Sequence, residues 1–265
     1  MNIIPTIIPS TKGNLASVIH FPKKQTDKLA ILCPGYLDSK DYTHLVSLAE
    51  LLCTQGFTVV RFDPAGTWES EGVISDYTTS QYLKNIKNVL EYMLTKANFN
   101  LILLGGHSRG GEVSILYAVG DTRINVVLGI MPSHGLVTGQ KRNTWKEAGV
   151  SVSQRDLPND KTKKIEFRVP FHYVLDRERY DALEDVKKIK VPLILIAGEL
   201  DDIVPPKMVK ELFDNANSPK EFFVIPNIGH DYRHNMKEIM LINKIILEKI
   251  LVILKRSLKK SNFGE

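Results

Sequence analysis

Short apolar runs alternate with helix-spaced stretches along most of this chain, and that rhythm limits the fold more than any other feature of the sequence. The apolar runs at Leu29–Cys33, Phe57–Phe62, Leu101–Leu104, Asn125–Ile130, Val191–Ala197 and Glu221–Ile225 are each four to seven residues long. A strand that reads as a continuous apolar run must be covered on both faces, which is the condition of a parallel sheet flanked by helices. Between the runs, Asp41–Cys53, Thr78–Thr95, the stretch after Gly111 to about Val119, and Asn235–Leu258 carry apolar residues at helical spacing. In the second, for instance, they fall at Tyr82, Leu83, Ile86, Val89, Leu90 and Met93. The fold class is therefore α/β. Two β-rich runs, Ile3–Ile8 and Leu15–Phe21, flank Thr11-Lys12-Gly13-Asn14 and read as an N-terminal hairpin.

The rhythm breaks once. From Pro132 to about Lys190 no buried-strand run occurs, while Trp145, Phe167, Phe171 and Tyr173 accumulate among polar residues. So long a stretch inside a compact domain is usually functional. The sequence thus divides into a core, residues 1–131 and 191–265, and an insertion, residues 132–190, with short helices expected around Asp176–Ile189.

Composition narrows the classes of function. With 43% hydrophobic and 25% charged residues over 265 positions, the chain is neither disordered nor fibrous. The net charge of +5 calls for no nucleic acid. Cys33 and Cys53 have no metal-ligand spacing and read as buried free thiols. Met1–Pro9 lacks the pattern of a signal peptide, and Ile239–Leu254 is interrupted by Asn243, Lys244, Glu248 and Lys249, so no membrane span and a cytoplasmic location are expected. The basic tail Lys255, Arg256, Lys259 and Lys260 reads as a solvated helix end.

Gly106-His107-Ser108-Arg109-Gly110 follows a strand and opens a helix. A serine at the tip of so sharp a turn is strained, and its neighbours two before and two after must lack bulk. A hydroxyl becomes a nucleophile only when a base takes its proton and an acid orients that base. Where such a strand–serine–helix elbow sits on an α/β sheet, the acid and then the histidine follow the serine in the chain, so the acid is expected just past the run Val191–Ala197, where Glu199, Asp201 and Asp202 stand together. Asp201 is favoured, with Asp202 and then Glu199 behind it; a spare carboxylate could cap the helix expected near Pro205. The base then comes from His230 or His234. His230, in the loop after Glu221–Ile225, sits where open α/β sheets place their sites. The oxyanion needs two N–H donors; the Arg109 amide follows the serine, and the Tyr36 amide follows the turn at Gly35. His230 and His234 lack the intervening helical glutamate of a metalloprotease, so neither a metal nor a cofactor is expected.

In this order the motifs resemble the α/β-hydrolase superfamily, and within it the bacterial serine esterases of the cinnamoyl (feruloyl) esterase and monoacylglycerol-lipase-like group. The resemblance rests on the elbow Gly106–Gly111, the Gly-x-x-Asp-x-x-Val-Pro loop from Gly198 to Pro205, and Asp63, Gly66 and Ser70. It registers Asp201 as the acid. It implies a small-molecule ester substrate and, for partners, at most a second copy of the chain. It also implies that the insertion is a cap whose Trp145, Phe171 and Tyr173 bind substrate. Two departures stand out: Cys33-Pro34-Gly35 keeps the glycine but not the usual histidine before it, and Trp68 stands where a small residue is common.

Overall fold

The computed structural model describes residues 1–217 and 219–261, with side chains to residue 253. The basic side chains at 255, 256, 259 and 260 lie outside the described ones. Eight strands form one sheet: β1 (Asn2–Ile8), β2 (Leu15–Phe21), β3 (Lys28–Cys33), β4 (Thr58–Phe62), β5 (Leu101–His107), β6 (Val126–Ile130), β9 (Leu193–Gly198) and β10 (Lys220–Ile225). Their order is β1-β2-β4-β3-β5-β6-β9-β10. Pairing is antiparallel from β1 to β2 and from β2 to β4, and parallel across the rest.

The central strands bury both faces, and side-chain alternation sends successive residues to opposite cores. In β3, Leu29, Ile31 and Cys33 join one apolar cluster and Ala30 and Leu32 the other. On the first face lie α2 (Thr79–Leu94), α3 (Arg109–Ala118) and α7 (Pro206–Asn215). On the second lie α1 (Thr43–Thr54) and α8 (Met236–Ser261), the latter through Ile239, Ile242, Ile246, Ile250 and Ile253, whose spacing of three and four keeps them on one stripe. Each such fully buried side chain contributes roughly 1.5–3 kcal/mol. Cys33 and Cys53 are buried free thiols.

The segment between β6 and β9 departs from expectation. It holds α4 (Gly139–Ala148), α5 (His172–Arg177) and α6 (Ala182–Val186), and also an antiparallel hairpin, β7 (Val150–Leu157) and β8 (Asp160–Pro170), turning at Pro158-Asn159. A search for continuous apolar runs passes over it because only one face of this ribbon is covered. Its signal is alternation: Phe167 and Val169 are buried and Ile165 half-buried, while Glu166 and Arg168 are exposed. Polar contacts tie the segment to the core. Tyr42 Oη donates to the Asp156 carbonyl at 2.8 Å, Arg155 Nη2 to the Tyr36 carbonyl at 2.8 Å, and the Ser80 amide to Asp176 at 2.8 Å.

Candidate active site

β5 ends at His107, and the chain reverses into α3 through Ser108, whose φ of 52° and ψ of −116° lie outside the regions a serine ordinarily occupies. The glycines around it make the reversal sterically feasible. A β-carbon on Gly106 would come within 2.1 Å of the Cys33 carbonyl oxygen, and one on Gly110 within 2.0 Å of the same atom. The elbow is therefore pressed against the end of β3.

Three side chains from three loops meet there. Ser108 Oγ lies 3.0 Å from His230 Nε2, and His230 Nδ1 lies 2.7 Å from Asp201 Oδ2. The other Asp201 oxygen accepts the Ile203 and Val204 amides at 3.0 and 2.7 Å, so this carboxylate is held from both sides and its side chain is fully buried. Of the neighbouring acids, Glu199 accepts the Asn227 amide at 3.0 Å and Asp202 is exposed. α7 begins at Pro206 with no side-chain cap, so the capping role expected of a spare carboxylate is not filled. His234 lies in a 3-10 turn, 3.6 Å from Asp156 rather than near Ser108.

Arg109 opens α3, where the first backbone N–H groups have no carbonyl one turn earlier. Tyr36 lines the same cavity as Ser108 and Arg109. Its carbonyl is fixed by Arg155, and the following amide, Leu37, donates to Tyr77 Oη at 3.1 Å. Trp68 borders a different surface depression; its Nε1 donates to the Leu37 carbonyl at 3.1 Å and its ring meets Phe167 at 5.5 Å.

The cavity above Ser108 has a volume of about 410 Å³. Trp145 and Tyr173 line it, stacked on each other at 5.7 Å, together with the apolar side chains of Leu136, Ile203 and Met208. Phe171 does not reach it: its ring lies beneath the Arg142 guanidinium, 5.4 Å away. Sequence reasoning missed Arg177, Lys141 and Ser133 on the cavity lining and Glu112 behind it. Arg109 Nη1 and Arg177 Nη2 both lie 2.8 Å from Glu112 Oε2, which also accepts the Ser133 hydroxyl at 2.8 Å. Burial by itself would push the Glu112 carboxyl up; the two guanidiniums outweigh it and hold it below its usual range. The one legible hint was Glu112 three residues after Arg109, on the same helical face.

Behind His230, the His107 ring packs at 4.7 Å, and His44 and Tyr232 pack on His107. Burial lowers both His44, to about 3, and His107, so neither brings a positive charge beside His230 at neutral pH. Asp38, His44 and His107 are the one group among the described residues that brings three potential metal ligands together, with their atoms up to 4.8 Å apart. Ligand atoms on a tetrahedral zinc stand roughly 3.3–3.5 Å apart, and Arg233 already pairs with Asp38 at 3.3 Å, so the group is a poor fit to that ion. Among the described residues no helix is long and apolar enough to cross a membrane.

A strained serine after the fifth strand, with an acid loop after β9 and a histidine loop after β10, defines the α/β-hydrolase fold. The chain belongs to the family described as serine aminopeptidase, S33, whose model matches residues 24–182. It is 26% identical over 213 residues to the mitochondrial palmitoyl-protein thioesterase ABHD10 of Mus musculus, covering 78% of this chain and 69% of that protein. Among solved structures it is similar to the α/β hydrolase GrgF from Penicillium sp. sh18, with a TM-score of 0.80 at 19% identity over 97% of this chain and 99% of that one. It is likewise similar to Est1E from Butyrivibrio proteoclasticus, solved with ferulic acid, with a TM-score of 0.77 at 21% identity over 94% and 99%.

Proposed function

We propose that this serine hydrolase cleaves carboxylic esters through an acyl-enzyme, with Ser108 as nucleophile, His230 as base and Asp201 as the acid that orients it. The observation that carries the reading is the continuous chain from Ser108 Oγ to His230 Nε2 and from His230 Nδ1 to Asp201, at 3.0 and 2.7 Å. Ser108 Oγ attacks the acyl carbon while Nε2 takes its proton. The Nδ1–H donated to Asp201 fixes the tautomer and supports the imidazolium. The developing oxyanion is bound by the amides of Arg109 and Tyr36, an interaction type that contributes several kcal/mol at the transition state. The imidazolium then protonates the leaving alcohol as the C–O bond breaks. Water, deprotonated by His230, attacks the acyl-serine and releases the acid. Residues 132–190 act as a cap, with Trp145 and Tyr173 contacting the substrate.

The test is a fluorophosphonate probe together with a panel of aryl esters. The wild type labels at Ser108 and turns esters over; Ser108→Ala does neither. Unlabelled Ser108, or an active Ser108→Ala protein, contradicts the mechanism.

The similarity to a palmitoyl-protein thioesterase favours a second reading, in which the scissile group is a thioester. The same three side chains serve both reactions. Matched oxygen and sulfur esters of one acyl group, compared by kcat/KM, separate them.

A further inference from the structure

The lining of the cavity above Ser108 has an unbalanced charge. Arg109, Lys141 and Arg177 contribute cations to it, and no acidic side chain lines it among the described residues. Glu112, behind the wall, cancels one of the three, leaving an excess of two positive charges. Arg109 pairs with Glu112 and donates to the Thr79 hydroxyl, and its side chain is only 2% exposed. Arg177 shares Glu112 and reaches Ser133 through Nη2, is 12% exposed, and has a buried Nε that, like that of Arg109, has no protein partner. Lys141, exposed at the cavity wall, has neither an ion pair nor a hydrogen bond among those described. The hydroxyl of Tyr173, a residue only 2% exposed, is also unpartnered, on a side chain that lines the cavity. A buried donor without an acceptor costs free energy, and the cost is recovered when a ligand supplies one.

From this lining we infer that the substrate carries a free carboxylate, bound by Arg177 and Lys141 with the Tyr173 hydroxyl, while Trp145 and the apolar residues cover the carbon skeleton joining it to the scissile ester. A guanidinium held in place by Glu112 is preorganised for such a group, because it loses little rotamer freedom on binding. The assignment rests on the hydrolase reading of Ser108, but it specifies something that reading leaves open: the substrate is an anion. The carboxylate can belong to the acyl half, as in a half-ester of a dicarboxylic acid, or to the alcohol half, as in an ester of a hydroxy acid.

Two substrate pairs distinguish these sources. The first is the 4-nitrophenyl half-ester of adipic acid and the same molecule with its free carboxyl methylated. The second is 4-carboxyphenyl butyrate and 4-carbamoylphenyl butyrate. In one pair or the other the wild type favours the anion in kcat/KM by about tenfold or more. That ratio collapses in Arg177→Met, is partly kept in Arg177→Lys, and falls in Lys141→Gln, a surface change that leaves the fold intact if Arg177→Met does not. Calorimetry gives a readout without turnover: adipate binds at least about tenfold tighter than adipamide. Equal binding of the two, a preference for the uncharged partner in both pairs, or a preference that survives Arg177→Met and Lys141→Gln overturns the inference. Adipate binding to a protein whose Ser108 resists the fluorophosphonate would instead count against the hydrolase reading alone.

Discussion

The carbonyl oxygen of Cys33 stands 2.1 Å from where a β-carbon on Gly106 would be placed, so the end of β3 and the end of β5 are closer than any larger side chain allows. The contact is with backbone, and neither strand can yield without disturbing the ladder between them, which pairs Cys33 with Gly106. Gly106→Ala is therefore expected to cost about 3 kcal/mol in urea unfolding. Gly120→Ala, whose nearest neighbour would be 3.9 Å away, stays within about 0.5 kcal/mol of the wild type. Equal stabilities for the two variants would refute the steric account of the elbow.

Three carboxylates crowd the loop after β9, but only Asp201 reaches a histidine. Asp201→Asn keeps the shape and removes the acceptor that fixes the imidazole tautomer, so kcat on an aryl ester should fall by about ten-thousand-fold. Asp202→Asn, at an exposed position, leaves the rate within about twofold. Steady-state kinetics on both variants checks the assignment, and a large loss in Asp202→Asn would reverse it.

Asp63 is fully buried after β4, and Lys40 answers it twice: the amide donates at 2.7 Å and Nζ lies at 3.2 Å. Removing the ammonium leaves a buried carboxylate without its counter-charge. Lys40→Met should thus cost about 3–5 kcal/mol, and the double variant Lys40→Met/Asp63→Asn should recover part of that loss. Chemical unfolding of the three proteins measures it; a neutral Lys40→Met would mean that the pair does not hold the loop.

His44 supplies a pH dependence. Its ring is buried with both nitrogens unpartnered, and burial takes its pKa from 6.5 to about 3. Between those values the unfolded chain binds a proton that the folded chain refuses. The stability contributed by neutral His44 is therefore complete above about pH 6.5 and is lost as the pH falls, by about 1.4 kcal/mol per pH unit. Relative to His44→Phe, the wild type should lose about 2 kcal/mol of unfolding free energy between pH 7 and pH 5. Parallel stability profiles for the two proteins would rule this out.

The sheet was legible because each central strand buries both faces and writes that fact locally, as in Leu29–Cys33 and Leu101–Leu104. The hairpin Val150–Pro170 was not, because one covered face leaves only weak alternation among charged residues. The cap aromatics show the same limit: Trp145 and Tyr173 reach the cavity and Phe171 does not, and nothing in their spacing separates them.

By itself, then, the sequence determined the α/β layering and the sharp serine turn, since hydrophobic period and turn sterics act over a few residues. Only the tertiary structure decided that Trp145 and Tyr173 reach the cavity while Phe171 does not, and that Arg177, 65 positions after Glu112, shares its charge beside Ser108. Such pairings depend on distances through space between groups far apart in the chain, and no local rule of propensity or spacing encodes them.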